Sequence, residues 1–393
     1  MAKQTDSKTK VENLGKMPRL RFPEFQGKWE TKEIGQLMKI GSGKDYKHLG
    51  EGDIPVFGTG GYMTSVNDYL MNGETICIGR KGTINKPFYH CGKFWTVDTL
   101  FYTHSFKNTI PRFALYIFEK INWLQYNEAS GVPSLSKSTI EQIEISIPFL
   151  PEQKKIASLL SLIDERIECQ RKIIQKMESL SLSFMRKIFS QQIRFKDKNG
   201  GNFPDWEIKK LGDIFYSEKG KGISKNMVIE NGKYECVLYG ELYTRYKEVI
   251  AEIVSKTDEY NGLKSQIGDL LLPSSTTTTG IDLANVTAIN KENVLLGGDI
   301  TVLRTKEKIN NIFYAYYLSN HKKEEIASYA QGSTIVHLYY SHIKEMCIDI
   351  PSLEEQTKIA NFLTSLDAKI ETEKQLLEQY KQQKAYLLQN LFI

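Results

Sequence analysis

The chain has 393 residues, which is long enough for two or more domains. Of these residues 40% are hydrophobic and 25% are charged, a composition typical of a globular protein. No apolar run reaches the roughly 18 residues of a membrane span, and the polar, Lys-rich N-terminus lacks the apolar core of a secretory signal. The net charge of +5 permits nucleic-acid binding without arguing for it, and five scattered cysteines argue against a zinc site or a disulfide framework and suit a reducing cytoplasm.

The two halves of the chain open in the same way. After a tail predicted to be disordered over residues 1–16, residues 17–29 are echoed by residues 194–206, each with an Arg-Phe pair, a Phe-Pro-acid step and a tryptophan. We expect Trp29 and Trp206 to be packed in the core. The equal order of these parts indicates an internal duplication.

The interiors share an order of parts but not their residues. Gly- and Lys-rich stretches at 39–48 and 216–226 are followed by short β-like runs with glycine turns, which predict a twisted mixed sheet in each half. Helices are expected at 110–129 and 309–330. A polar loop and a strand ending at Pro148 or Pro351 complete each half.

Two long helices follow these strands. Residues 148–188 and 351–391 match at a constant offset of 203 residues (Pro148 to Pro351), and each carries an apolar stripe spaced alternately four and three, with eight of ten positions apolar. Such a period predicts coiled-coil helices, which a chain of two similar halves would pack antiparallel. The residues predicted to form the helix seam are Ile156, Leu160, Ile163, Ile167, Ile174, Met177, Ile359, Leu363, Leu366, Ile370, Leu377 and Leu387.

The stripe is interrupted at the same two places in both helices, Gln170 with Glu373 and Ser181 with Lys384. Polar seam residues can set register or leave room for a partner. Alternatively the stripe slips locally, with Ile173 and Leu180 filling the gap in the first helix. We favour the slip.

Catalytic signatures are missing from the sequence. It has no phosphate-binding loop, no dinucleotide fingerprint, no nucleophile elbow and no Asn-Pro-Pro-aromatic segment typical of adenine methylation, and its six histidines lack zinc spacing. We therefore expect no catalytic residue, no metal ligand and no cofactor bound by this chain.

Donor-rich polar loops occupy equivalent places in the two halves. Hydroxyl, Lys and Arg side chains suit phosphate contacts, and Arg can recognise guanine with two hydrogen bonds, although any one loop could simply be solvated. The DNA-binding candidates in the first half are Ser42, Lys44, Tyr46, Lys47, Tyr62, Arg80, Lys81, Thr83, Asn85, Lys86, Ser134 and Lys137. Those in the second half are Lys219, Lys221, Lys225, Tyr239, Tyr243, Arg245, Ser274, Ser275, Thr276, Thr277, Ser333 and His337.

The repeated pattern PxxEQxKIAxxLxxxDxxIE at 148–168 and 351–371, together with the long helices and the Arg-Phe openings, resembles the specificity subunit of bacterial type I restriction–modification enzymes. The resemblance spans residues 17–393. It implies an α+β fold with two α/β target-recognition domains in a pseudo-twofold arrangement, separated by two long antiparallel coiled-coil helices. The implied segments are target-recognition domains at 17–148 and 191–350, a central helix at 149–190 and a C-terminal helix at 351–393.

The same resemblance implies a non-catalytic role. Each target-recognition domain would recognise one half of a bipartite double-stranded DNA site, and the helices would set the gap. Two modification subunits would dock on the chain and methylate adenine with S-adenosylmethionine, and restriction subunits would use ATP and Mg. No membrane partner is implied, and the location would be the bacterial cytoplasm, at the nucleoid when DNA is bound. The main alternative is a coiled-coil scaffold or adaptor that binds proteins only; a solitary methyltransferase is nearly excluded by the missing motifs.

Overall fold

The fold is taken from a computed structural model that describes residues 17–393; the predicted tail at 1–16 lies outside the described residues. Contacts divide the chain into two compact units. Among the described residues, unit 1 comprises residues 17–172 together with Lys374–Ile393, and unit 2 is Ile173–Glu373. Each long helix therefore contributes one part to each unit.

Unit 1 is built on one large sheet and one small one. Its strands are β1 Glu30–Glu33, β2 Lys39–Ser42, β3 Glu51–Gly58, β4 Gly61–Val66, β5 Met71–Gly79, β6 Phe88–Thr96, β7 Leu100–His104 and β8 Glu144–Ile147. The large sheet has the strand order β2-β7-β5-β6-β3-β4, in which β3 and β6 are parallel and the other pairs antiparallel. This arrangement confirms the predicted mixed sheet.

The helices of unit 1 pack against that sheet and against the small β1-β8 pair. They are α1 Ile34–Leu37, α2 Pro111–Lys120, α3 Lys137–Glu141 and the first part of α4 Leu150–Phe189, with a 3₁₀ turn at Trp123–Tyr126. The core gathers Trp29, Phe113 and Ile156 with the C-terminal Leu391 and Phe392. Trp29 is thus a core residue, as its position in the sequence indicated.

Unit 2 repeats this design with shorter strands. They are β9 Glu207–Lys210, β10 Phe215–Lys219, β11 Tyr234–Val237, β12 Ser255–Thr257, β13 Leu263–Lys264, β14 Asp269–Pro273, β15 Ser275–Thr276, β16 Thr287–Ile289, β17 Leu295–Leu296, β18 Ile300–Thr305, β19 Val336–His337 and β20 Cys347–Ile350. They pair in the orders β10-β18-β14-β16, β12-β11-β17-β13, β15-β19 and β20-β9. The β9-β20 pair is the counterpart of β1-β8.

The helices of unit 2 pack mainly on the sheet that contains β14. They are α5 Leu211–Ile214, α6 Glu241–Thr244, α7 Gly280–Leu283, α8 Asn311–Tyr316, α9 Lys323–Ser328, α10 Tyr340–Ile343 and the first part of α11 Leu353–Leu391, with a 3₁₀ turn at Lys225–Met227 and a π turn at Tyr317–His321. Trp206 is buried in this core with Phe313 and Ile359.

The two expected mixed-polarity helices are shorter than predicted. The helix predicted at 110–129 ends at Lys120, because Ile121 takes an extended backbone (φ −64°, ψ 130°). The helix predicted at 309–330 is interrupted by the π turn, where the Ser319 hydroxyl exchanges hydrogen bonds of 2.7 and 2.9 Å with the main chain of Val286. A helical apolar pattern cannot reveal a contact of this kind with a segment distant in the sequence.

The long helices run antiparallel. In unit 1 the beginning of α4 shares a core with the end of α11, and in unit 2 the end of α4 shares a core with the beginning of α11. Phe184 and Phe362, for example, meet edge to face at 5.6 Å. All twelve predicted seam residues are buried or half-buried. At about 1.5 Å per residue, 40 residues of α4 span roughly 60 Å.

The preferred interpretation of the polar seam positions is wrong. Gln170 and Ser181 are each only 5% exposed, whereas Ile173 is 41% and Leu180 is 48% exposed. The stripe therefore continues through the polar residues instead of slipping around them. Glu373 and Lys384 lie in ion pairs, with Lys369 at 3.7 Å and with Glu119 and Asp164 at 2.7 Å.

The Glu-Gln step of the repeated motif fastens each long helix to its unit. The carboxylate of Glu152 accepts two 2.8 Å hydrogen bonds from the Arg21 guanidinium, and Glu355 accepts two from Arg194 at 3.1 and 2.8 Å. These hydrogen bonds, with the carboxylate charge, raise the pKa of Arg21 and Arg194. The motif and the Arg-Phe openings are therefore two parts of one structural contact.

The neighbouring glutamines complete the attachment. The Gln153 side chain accepts from the Ile110 amide and donates to the Pro148 carbonyl, and Gln356 does the same with Asn310 and Pro351. Each glutamine thus joins the start of α4 or α11 to the segment that precedes α2 or α8.

Within residues 17–393, none of the helices has the length and apolar character needed to cross a membrane.

Candidate nucleic-acid interface

In unit 1 the polar loops meet around the turn Val97–Thr99, between β6 and β7. Main-chain hydrogen bonds of 2.8–3.1 Å tie this turn and its flanks to the other loops. They are Gly43 N to Leu100 O, Lys44 N to Thr96 O, Val97 N to Phe57 O, Arg80 N to Thr99 O and, one loop further, Leu135 N to Arg80 O. The loops joined in this way form what we term the first loop surface.

Unit 2 has the same set of bonds around its turn Gly297–Asp299. They are Gly220 N to Ile300 O, Lys221 N to Leu296 O, Gly297 N to Val237 O, Ser274 N to Asp299 O and Leu338 N to Ser274 O, at 2.7–3.0 Å. These loops form the second loop surface. Bond by bond, Gly43-Lys44 corresponds to Gly220-Lys221, and Arg80 corresponds to Ser274.

The next residues extend the correspondence. Lys81 bridges to Ser134 in unit 1, and Ser275 pairs with His337 in unit 2. The backbone frame of the two surfaces is therefore common, while the side chains it presents differ: Arg-Lys and serine on one surface, Ser-Ser and histidine on the other.

The matching glycines serve the frame. A Cβ on Gly43 would lie 1.9 Å from the Val97 carbonyl oxygen, and one on Gly220 would lie 2.1 Å from that of Gly297. Any side chain here would push the loop off the turn. We conclude that these glycines permit close backbone-to-backbone packing and thereby place the exposed lysines that follow them.

Most first-half candidates lie on the first loop surface. Exposed members are Ser42, Lys44, Lys47, Tyr62, Arg80, Lys81, Asn85 and Lys86, and half-buried members are Tyr46, Thr83 and Ser134. The Arg80 guanidinium lies 5.8 Å from the Phe101 ring centroid and 3.4 Å from the Asp98 carbonyl oxygen. It is therefore held over the turn with its exposed face toward solvent.

Lys137 lies apart from this group. Its ammonium pairs with Glu141 at 3.6 Å. Burial lowers the pKa of His104, and the positive charges of Lys39 and Lys137 lower it further. His104 and Lys39 face each other at the far end of the β2-β7 pair from Phe101. Lys137 was grouped with Ser134 from the sequence, but α3 begins at Lys137 and places its side chain away from the first loop surface.

In the second half, three hydroxyl candidates are buried. Ser274, Ser275 and Thr276 are 1%, 6% and 2% exposed. Their hydroxyls bond to Thr301 at 2.7 Å, Asp299 at 3.1 Å and Thr278 at 2.7 Å. This corrects the expectation that they lie on a DNA-contacting loop: they build the floor of the second loop surface, and Thr277, the next residue, is exposed.

Other second-half candidates stand on or near that floor. Lys219 pairs with Asp299 at 3.7 Å and lies 6.0 Å from the Tyr339 ring, which stacks on His337 at 5.7 Å. Lys221, Lys225, Tyr239, Arg245 and Ser333 are exposed. Tyr243 instead lines a cavity beside the long helices.

Three contributors to these surfaces are not among the candidates named from the sequence. Tyr339 is 39% exposed and Met63, beside Tyr62, is 51% exposed. Asp299 has a positive φ of 59° at the turn that organises the second surface. The signal for Asp299 was present in the sequence: the segments 96–100 and 296–300 both contain an aspartate between two strand-like runs.

The described residues do not offer a set of metal ligands. Across residues 17–393 there is no cluster of three or more His, Cys, Asp or Glu side chains arranged to hold a metal ion. The donors on the two loop surfaces are ammonium, guanidinium, hydroxyl, amide and imidazole groups, which suit phosphate oxygens and base edges.

Comparison with solved structures shows the fold. At 20% identity and a TM-score of 0.62, the chain resembles the S subunit of a type I restriction-modification system from M. genitalium, with 96% of this chain and 99% of that chain covered. A chain from a structure of complex assembly and conformational transition of the type I R-M system gives a TM-score of 0.55 at 12% identity, over 93% of this chain and 97% of that one.

Sequence comparison extends over both units. The chain is 26% identical to the type I restriction enzyme MjaVIII specificity subunit of Methanocaldococcus jannaschii, over 96% of this chain and 95% of that protein. It is 24% identical to the putative type I restriction enzyme specificity subunit S.HindORF215P of Haemophilus influenzae, over 80% of each. The family model for the type I restriction modification DNA specificity domain matches residues 26–179 and 204–382, so each match contains one loop surface. This protein therefore belongs to the family of type I restriction–modification DNA specificity domain proteins.

Proposed function

We propose that this chain is the non-catalytic DNA sequence-specificity subunit of a type I restriction–modification complex, and that its two loop surfaces recognise the two halves of a bipartite site. One observation carries the proposal. The same backbone frame occurs twice and presents different side chains each time. Two unlike half-sites require two unlike surfaces, and a shared frame holds both in the same way.

The frame suggests which residues contact which part of the DNA. Lys44 and Lys221 occupy equivalent positions and are both exposed, so we assign them to phosphates, which are the same in every sequence. Arg80 and Lys81 have no charged counterparts at Ser274 and Ser275, so we assign them to the bases of one half-site. On the second surface, His337, Tyr339 and Thr277 take the corresponding role.

Chemistry on DNA belongs to the partners in this proposal. An adenine inside a duplex must be flipped out of the stack before methylation, which requires a dedicated pocket. Two modification subunits supply it, with S-adenosylmethionine, after docking on the paired helices. Restriction subunits add ATP- and Mg-dependent cleavage. The complex works on chromosomal and invading DNA in the bacterial cytoplasm.

The test is methylome sequencing of the host with and without this gene. We expect methylated adenines in one bipartite motif to disappear when the gene is deleted and to return with a plasmid copy. A methylation pattern that is identical in the deletion strain contradicts the proposal. Purified chain should bind a duplex containing the motif weakly alone and with a steeper salt dependence in the complex, because more phosphates are then neutralised.

A further inference from the structure

In unit 1 a lysine fills the gap between the long helices and α2. The Lys384 ammonium lies 2.7 Å from Asp164 and 2.7 Å from Glu119. The Tyr116 hydroxyl donates to the other oxygen of Asp164 at 2.8 Å. Burial opposes the charge of Lys384, but its hydrogen bonds to the two carboxylates outweigh burial and raise its pKa.

Unit 2 keeps most of this arrangement without the lysine. Asp367 is the counterpart of Asp164 at the offset of 203 residues, and it accepts a hydrogen bond from the Tyr316 hydroxyl as Asp164 does from Tyr116. The counterpart of Lys384 at the same offset is Ser181, a buried serine too short to reach the carboxylate. Among the described residues, no cation forms an ion pair with Asp367.

An open cavity of about 420 Å³ takes the place of the missing side chain. Ser181, Asp367 and Tyr316 all line it. A second carboxylate in its wall, Glu248, accepts a 2.9 Å hydrogen bond from the Asn320 amide. Glu178 also lines the cavity, which therefore combines space for an alkyl chain with three carboxylate residues. Carboxylates are also the groups that hold the ammonium in unit 1.

We propose that this cavity of unit 2 binds a primary alkylammonium group, the end of a lysine side chain supplied by a protein subunit that docks on this face. The choice of a protein lysine rests on the proposed function, in which modification subunits dock on the paired helices. Unit 1 shows the mode of delivery, since there the lysine arrives from a helix lying alongside α4. The cavity is open to solvent along the exposed Leu182, so a partner helix has access.

The ammonium site can be tested on the full chain without DNA or partners. The probe is n-butylammonium, with n-butanol as the neutral control of similar shape, followed by methyl chemical shifts of Met185, which also lines the cavity. We expect saturable shifts with n-butylammonium and at least tenfold weaker binding of n-butanol. Absence of saturable binding would overturn the site.

Matched variants fix the location. Ser181→Lys supplies the missing ammonium from within and should abolish probe binding while raising Tm. Asp367→Asn should weaken binding at least tenfold. Lys384→Ser should create a second probe site in unit 1. If instead the wild type failed to bind and Lys247→Ala bound, the rim residue Lys247 would be the natural counter-ion, and the proposal would be wrong.

The source of the lysine is tested by assembly. Reconstitution with the modification subunit should be at least tenfold weaker for Ser181→Lys than for wild type, with Tyr260→Ala, an exposed residue outside the long helices, as control. Normal assembly of Ser181→Lys beside confirmed probe binding would overturn the protein source and leave a small amine as ligand. An unchanged methylation pattern in the deletion strain, by contrast, would contradict the proposed function and leave the probe result unaffected.

Discussion

At the scale of residues, the two arginine–glutamate pairs show how duplicated contacts diverge. Glu355 accepts the Arg194 guanidinium and also the indole N–H of Trp206 at 3.0 Å. Glu152 accepts the Arg21 guanidinium, while the buried Trp29 indole nitrogen has no hydrogen-bond partner among the described residues. The glutamate of unit 2 thus has one more contact than that of unit 1.

We therefore expect Glu355→Gln to destabilise unit 2 by about 3–5 kcal/mol, since it removes the buried carboxylate from a part-buried guanidinium. Glu152→Gln should lower the stability of unit 1 by less. Asp205→Asn is the matched control, because Asp205 contacts the same Arg194 at 3.5 Å but is fully exposed, so that its loss should change little. Urea unfolding followed by Trp fluorescence measures all three. Equal losses for Glu355→Gln and Asp205→Asn would contradict this account.

Recognition by Arg80 gives a second prediction at this scale. Arg80→Ala should relax the sequence requirement in one half-site, at a cost of about 1–3 kcal/mol per lost base contact. Lys44→Ala should instead weaken binding to all sequences alike and reduce the salt slope by about one. Methylome sequencing and salt titrations of DNA binding separate the two effects. An unchanged motif in the Arg80 variant removes it from the set of base-contacting residues.

The residue-level predictions from sequence succeeded or failed for a physical reason. Lys44, Arg80 and Lys221, each of which follows a glycine, are exposed. The glycine before each of them packs against a carbonyl group and so fixes the loop locally. The run Ser274–Thr276 has the composition of an exposed polar loop, yet it is buried under Asp299. Short hydroxyl side chains satisfy their hydrogen bonds inside a protein as easily as outside, so composition alone does not decide their exposure.

At the scale of elements, the long helices were predictable because a 3.5-residue apolar period sustained over many turns is specific to helices that pack along their length. Their ends, Leu150–Phe189 and Leu353–Leu391, fall within two residues of the expected segments. The π turn Tyr317–His321, which separates α8 from α9, was not predictable from the sequence. In this turn Ser319 contacts Val286, which lies in a different part of the sequence.

The helices also give a prediction about spacing. One extra heptad in each helix, between Lys172 and Ile173 and between Glu373 and Lys374, preserves the 3.5-residue stripe at the borders of the two units. Seven residues add about 10.5 Å, or roughly three base pairs, to the unread gap of the methylated motif. Both half-site sequences should stay the same in methylome data. A heptad inserted in one helix alone should abolish the motif, and a changed half-site sequence would refute the idea that the helices set the gap.

At the scale of the whole molecule, the compact units do not coincide with continuous stretches of chain. Unit 1 is completed by Lys374–Ile393, whose Phe392 stacks on Phe113 at 5.3 Å and meets Trp29 at 6.3 Å. The core of unit 1 is therefore built from two segments that are far apart in the sequence.

Phe392→Ala should accordingly destabilise unit 1 by about 3–5 kcal/mol, because it empties a buried aromatic site. Unit 2 should keep its stability. Hydrogen exchange measured separately for β5 and β14 reports on the two units. The control is Tyr386→Ala, at a 59% exposed residue of α11, the helix that precedes Phe392. Equal loss of protection in both strands would show that the units unfold as one.

The backbone frame of the two loop surfaces has a consequence for how such proteins diversify. Its hydrogen bonds join amide and carbonyl groups, which every residue but proline provides in full. Substitutions at Arg80, Lys81, Ser134 or His337 can therefore change the exposed chemistry while the frame stays intact. A whole interior segment can also be exchanged for another that keeps the glycine and the turn. If the loop surfaces have the proposed function, new half-site preferences can arise by mutation or recombination in a small region, without a change of fold.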